Sequence, residues 1–260
     1  MRVSISWLKQ LVQVNESVDD LSERLSMAGF EVDDVDDLSA RAQGVVVGHV
    51  LKREKHPNAD KLSVCKVDVG AQAPIQIVCG ASNVRAGIHV PVAMVGATLP
   101  AVGLTIKAGE LRGVASNGMI CSLTELGLTE QSDGIAILDE LDESLPPNGS
   151  PVAPLLGLDD TVLELAITAN RPDGLSMVGI AREVAALTGG SLSLPELDLD
   201  PSTNPLTTEL DGCFYSIPRI EGVDGSKPSP TWLQQRLEHG GVNTVNAVSY
   251  THLTLPTMEL

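Results

Sequence analysis

Aromatic residues are nearly missing: two Trp, two Tyr and two Phe in 260 residues. The core must therefore be assembled from Val, Leu, Ile and Ala, and base stacking on aromatic platforms has few candidates. Long apolar runs are missing too. No stretch of about 18 apolar residues occurs, which excludes a membrane-spanning helix. The opening MRVSISWLKQLVQV has no apolar run of secretory-signal length. Cysteine is scarce, at four residues, Cys65, Cys79, Cys121 and Cys213, and none forms a CxxC pair. Each sits in an apolar run, so buried free thiols in a reducing cytoplasm are expected. A zinc site from Cys65, Cys79, His49 and His56 fits no common ligand spacing. Also absent are a P-loop, a GxSxG elbow and a GxGxxG turn between a strand and a helix. Residue pattern alone thus reveals no catalytic centre.

Basic residues are outnumbered, 17 against 34 acidic, for a net charge of -17. The deficit is uneven. Residues 41–112 hold nine Lys and Arg against four acids, whereas residues 113–150 hold seven acids and no base. A positive island in a negative chain suits local contact with a phosphate backbone; a solvated face with clustered charge is the alternative.

The first 40 residues read as helical, with Trp7, Leu8, Leu11 and Val12 on one stripe. Ser17 stands three positions before Asp20 as a capping-box-like start, and Gly29 is a stop. EVDDVDDLS reads as a solvated connector. From residue 44 the period changes to two. VVVGHVLKRE, LSVCKVDVG, IQIVCG, HVPVAMVG and LTIKAGEL are short strands between Gly-rich turns, which indicates a small closed or nearly closed barrel. A short helix is expected around SLTELGL and a linker at LDESLPPNGSP. TVLELAIT is a strand. Met177, Ile180, Val184 and Leu187 form a helical stripe with Asp173 as its expected N-cap. SLSLPELDLDPSTNPL is a linker, CFYSIPRIEGV a strand and PSPTWLQQRLEHGG a capped helix.

HPNAD is a turn that projects His56, Asn58 and Lys61 at the barrel rim, ahead of a strand carrying Lys66 outward. Later turns add Ser82, Asn83 and Arg85, then Arg112, Ser116 and Met119. Short polar side chains with a few cations on a Gly-rich rim can contact phosphates and 2′-hydroxyls without reading sequence. Taken singly, each is more often a turn residue or a solvated charge; together on one barrel they carry more weight.

Three of these stretches also resemble a known family. HPNADKLSVCKVDVG, IVCGASNVRAGIHVPVAMVGATLP and LRGVASNGMICSLTELGL are similar to the tRNA-binding OB domain of several synthetases and free tRNA-binding proteins. VSISWLKQLV and LSMAGFEVD before them, and ITANRPDGLSMVGIAREVAALTGG after, resemble the β subunit of bacterial phenylalanyl-tRNA synthetase. That resemblance implies an α+β chain with a five-stranded OB-type β-barrel, residues 41–150, inserted into a small α+β domain split into 1–40 and 151–200. The truncated start of an α/β editing domain, residues 206–248, would follow. The match stops after VNAV, so SYTHLTLPTMEL, residues 249–260, is expected to be a non-native tail. The complete enzyme would use ATP and Mg²⁺, with no cofactor expected on this part of it. Its partners would be tRNA and the α subunit of an α2β2 heterotetramer in the cytoplasm, with no membrane contact. No catalytic or metal-binding residue is expected here. A stand-alone tRNA-binding or chaperone-like module, or a structural arm whose barrel touches no RNA, are the other readings.

Overall fold

Two serines start the first two helices. Ser4 accepts the Trp7 backbone N–H (3.1 Å) to open α1 (Ile5–Leu11), after the short strand β1 (Arg2–Ser4). Ser17 accepts the Asp20 N–H (3.1 Å) to open α2 (Val18–Met27), and the positive φ of Gly29 lets the chain turn out of it. The acidic stretch expected as a connector is instead a strand, β2 (Glu31–Asp37). Four of its five acids are exposed and the fifth, Asp36, pairs with Arg41 (2.7 Å), while Phe30, at its entry, is fully buried. Sheet partners override the low strand propensity of Asp and Glu.

The computed structural model describes residues 1–141, 144–194 and 229–242, and the backbone of 207–210 and 213–216. Two compact units emerge, Met1–Asp33 with Leu165–Leu260, and Asp34–Glu164.

In the unit Asp34–Glu164, five strands form one antiparallel sheet: β3 (Val45–Lys55), β4 (Ser63–Asp68), β5 (Ile75–Cys79), β6 (His89–Ala93) and β11 (Met119–Ile120), in the order β11-β6-β3-β4-β5. Between β6 and β11 lie two hairpins, β7 (Thr98–Leu99) with β8 (Leu104–Thr105), and β9 (Gly109–Leu111) with β10 (Val114–Ser116). LTIKAGEL, read as one strand, is thus divided between two hairpins. The sheet curls until β5 meets the β10–β11 segment. Asn117 N–H donates to Gln76 O (2.8 Å), and the Val78 N–H, instead of a ladder carbonyl, finds the Ser116 hydroxyl (3.1 Å). The result is a nearly closed OB-type barrel in an α+β fold.

The barrel interior is aliphatic, as the shortage of aromatics requires: Val50, Cys65, Val67, Ile77, Val90 and Val92 are all at 0% exposure. Gly48 is necessary there, because a Cβ would lie 2.6 Å from Val92 Cγ2 and 2.9 Å from Val67 Cγ1. A second core, with Val45, Val47, Leu99, Cys121, Leu126, Leu138 and Leu158, packs on the other face of β3. SLTELGL, expected as a helix, forms turns that feed Leu126 into this core. Glu125 reaches back to Ser122 N–H (2.6 Å) and Gly127 turns left-handed at φ +68°, so no second helical turn can start.

β12 (Thr161–Ala166) belongs to a three-stranded sheet of order β1-β12-β2, with Leu165 N–H donating to Met1 O (2.7 Å). α3 (Met177–Thr188) is capped by Ser176, which accepts the Gly179 N–H (3.0 Å), and not by Asp173. Asp173 instead pairs with Arg171, whose guanidinium also binds Glu183 (2.8 Å) and lies 4.2 Å from the Phe30 ring centroid. β13 (Thr207–Leu210) and β14 (Cys213–Ser216) form a hairpin. α4 (Thr231–His239) follows, without a side-chain cap at its N-terminus, and ends at Gly240–Gly241. Most of the SLSLPELDLDPSTNPL linker, and the tail 249–260, lie outside the described residues.

Candidate nucleic-acid interface

A β-bulge decides which charges share a face. Val50 pairs with Val67, but the next register pair is Lys52 with Lys66, so Leu51 is the extra residue and is 47% exposed. Plain alternation from Val50 would turn Lys52 inward. The bulge turns Lys52 outward beside Lys66, and Gln76 follows Lys66 across β5. Two lysines directly opposite each other repel. Glu54 relieves part of this: Lys52 Nζ lies 2.8 Å from its Oε1, and that bond, with the Lys66 charge, holds the Glu54 carboxyl below its usual range.

Beyond the bulge, β3 ends in the HPNAD turn. Here His56 is buried at 5% exposure, where the sequence suggests a projecting side chain. Its Nδ1 accepts the Asn58 N–H (3.0 Å), and its Nε2 donates to Leu111 O (3.0 Å), which fixes the neutral Nε2–H tautomer. Asn58 Nδ2 donates to Arg112 O (3.0 Å). The turn after the first barrel strand is thereby tied to the tip of the β9–β10 hairpin. These are the two loops that flank the binding face of OB barrels. Lys61 and Arg112 are exposed on them, and Lys66 is exposed on the strand between. Lys52 and Lys55, on the same strand end, were not singled out from sequence, because a bulge leaves no mark in alternation.

The other expected residues lie elsewhere. Ser82 is exposed, and Asn83 spends both amide atoms on Ile135, Oδ1 accepting its N–H (3.1 Å) and Nδ2 donating to its carbonyl (2.9 Å). Arg85 reaches Glu140 at 3.4 Å, both side chains more than half exposed, a weak pair. Ser116 is buried in the barrel seam, donating in turn to Gly118 O (3.2 Å). Met119, half-buried, lines a cleft of about 400 Å³ with Cys79, Ser122, Glu125 and Gly134.

Three thiols confirm the expectation of buried free cysteine: Cys65, Cys79 and Cys121. Burial pushes Cys65 up to about 11 and Cys121 to about 12, and raises Cys79 as well, so all three are poor nucleophiles. A separate row of titratable groups crosses the barrel where His89, His49 and Asp68 are register partners. The two imidazoles stack with centroids 4.5 Å apart. Gly70 N–H (2.9 Å) and Asn148 Nδ2 (3.0 Å) hold the Asp68 carboxyl low. Burial by itself raises Asp139, but the backbone N–H (2.6 Å) and ring Nδ1 (2.8 Å) of His89 outweigh it and bring it low.

A family model described as a putative tRNA binding domain matches residues 45–147, the span of the barrel and its flanking loop. Over 248 residues, 95% of this chain, the sequence is 97% identical to the phenylalanine–tRNA ligase beta subunit of Synechococcus sp. (strain CC9605). Its identity to the proteins of that name from Synechococcus sp. (strain CC9902) and Synechocystis sp. (strain ATCC 27184) is 72% and 56%. The chain spans 31% of the length of each of these relatives.

Proposed function

Because the chain belongs to the phenylalanine–tRNA ligase β-subunit family, we infer that its barrel contributes a tRNA-binding surface to that ligase. The complete enzyme attaches phenylalanine to its tRNA at the expense of ATP, in the cytoplasm, with an α subunit as partner in an α2β2 heterotetramer. The chain 1–40 and 151–200 serves as scaffold around an inserted barrel, residues 41–150, and 206–248 opens a further domain. The surface is built from Lys52, Lys61, Lys66 and Arg112 on the tied loops and the strands between them, with His56 and Asn58 holding the two loops together. Ser82 and Arg85, on the β5–β6 loop, are further contacts apart from this face, with Asn83 fastening that loop to Ile135, and Ser116 and Met119 support the barrel from the seam. The observation that carries this reading is the outward Lys52–Lys66 pair, held on one face in spite of mutual repulsion. Such a pair gains when a phosphate backbone lies across it.

ATP and Mg²⁺ serve the amino-acid activation step of the complete enzyme. Among the described residues no group of three or more His, Cys, Asp or Glu could hold a metal ion. Nor, among them, is any helix long and apolar enough to cross a membrane.

Fluorescence anisotropy of the 260-residue chain with labelled phenylalanine tRNA tests the reading. Weak binding is expected, with a log–log salt slope near about -3, as four or so phosphate contacts give at about -0.7 to -0.9 each. Absence of binding at 20 mM salt, roughly the regime where a Debye length exceeds 10 Å, would leave the barrel as a structural arm.

A further inference from the structure

Among the described residues, Arg112 is the one non-glycine with positive φ, at +50°. Gly113 follows at +84°, and the two form the whole loop of the β9–β10 hairpin, since Leu111 pairs with Val114. Two positive φ values in a two-residue loop define the turn that normally takes Asn-Gly. A long side chain at the first of these positions is strained, and strain of this kind persists where the surroundings enforce it and the residue has a task there. The surroundings are identifiable. Asn58 Nδ2 holds the carbonyl of Arg112, and buried His56 holds the carbonyl of Leu111. Both bonds come from the same turn, and both act on backbone, so neither uses the guanidinium. The Arg112 side chain is exposed and makes no hydrogen bond or ion pair with any described residue.

We propose that Arg112 is a phosphate contact delivered by a strained turn, and that Asn58 and His56 are positioning residues which hold that turn and never touch the RNA. This deepens the tRNA-binding reading and rests on it. The guanidinium offers a planar pair of donors that matches a phosphate. A left-handed backbone at Arg112 places its Cβ off the path an ordinary turn residue would give, so charge alone at this site does not reproduce the contact. His56, buried and occupied on both ring nitrogens, has no free donor for RNA, and Asn58 spends one Nδ2 hydrogen on the Arg112 carbonyl.

The test is a double-mutant cycle on the 260-residue chain with labelled phenylalanine tRNA. Arg112→Gly removes the guanidinium and relaxes the strain. It should bind several-fold more weakly, lower the salt slope by about one phosphate contact, and unfold at the same or a higher urea concentration, which rules out misfolding as the cause. Asn58→Ala should weaken binding and flatten the slope by a similar amount in the parent chain, yet change neither in the Arg112→Gly background. Arg112→Lys, with charge but no fork, should recover part of the affinity. Unchanged binding by Arg112→Gly, or additive losses in the double variant, would overturn the assignment while leaving the RNA-binding reading intact. No binding by the unsubstituted chain would overturn both.

Discussion

At the level of single residues, the polar side chains that mattered most were those whose partners are backbone groups. Ser116 was expected at an RNA-facing rim, yet its hydroxyl takes the place of a ladder carbonyl for the Val78 N–H inside the seam. Ser116→Ala leaves that buried N–H unsatisfied, which costs about 1–3 kcal/mol. Urea unfolding should show a loss in that range; a loss below about 0.5 kcal/mol, typical of an exposed site, would mean the seam closes without it. Asp68 and Asp139 make a second case. Their folded-state carboxyls lie below the unfolded value of about 3.9, so the stability they add is fully present above that value and is lost as pH falls through the depressed folded values. The urea midpoint of the parent chain should therefore drop more between pH 6 and pH 3, a window around that unfolded value, than that of the Asp68→Asn/Asp139→Asn variant. Equal drops would show that the two carboxylates contribute nothing. Residue type and turn chemistry identified His56 and Asn58 as special, but not the direction they face. That direction depends on Leu111 and Arg112, more than fifty positions away, whose approach no local pattern encodes.

Among elements, what could be read from the sequence followed burial. β4 buries one face in the barrel interior and alternates strictly, while β5, β6 and the first half of β3 are covered on both faces and read as short apolar runs between turns, so the sequence states all four. β2 is a solvent-facing strand with five acids in seven residues, and nothing in its own pattern announces a strand. The two short hairpins between β6 and β11 owe their pairing to turn geometry at Gly103 and at Arg112–Gly113, and were merged into one segment for that reason. α4 is legible in the sequence as a helix ending in two glycines, but its partner is not. Arg236 lies between Trp7 (5.3 Å) and Trp232 (5.2 Å) and bonds Gln10, while Arg2 Nε donates to His239 O (3.2 Å). Both tryptophans of the chain therefore report on one docking contact. A cation over an exposed ring adds about 0.5–1 kcal/mol. Arg236→Ala should red-shift the tryptophan emission at zero urea and move the fluorescence-detected midpoint down, with the far-UV signal of the strands at zero urea preserved. An unchanged emission maximum would show that the helix does not depend on this contact.

For the molecule as a whole, composition and function meet in the unit Asp34–Glu164, which contains no Phe, Tyr or Trp. Single strands bound by aromatic stacking gain affinity that salt barely touches, whereas a barrel with cations and aliphatics must rely on phosphate contacts. On the proposed reading, binding is confined to the face that carries Lys52, Lys61, Lys66 and Arg112, because acids outnumber bases in both units. The same distribution separates two spectroscopic reporters. Trp7 and Trp232 both lie in the unit Met1–Asp33 with Leu165–Leu260, and the unit of the barrel has no tryptophan of its own. Tryptophan emission should stay at the same wavelength when tRNA is added. Amide exchange should slow in the barrel alone, most around 56–62 and 109–118. At a free tRNA concentration of about 100 times Kd, ligand linkage adds about 2.7 kcal/mol to any opening that disrupts the bound face, which is a roughly hundred-fold slower exchange for amides released by that opening. Slowing centred instead on α1, α2 and α3 would place the RNA away from the cations of the barrel, and would show that the local cation pattern does not govern where this chain meets nucleic acid.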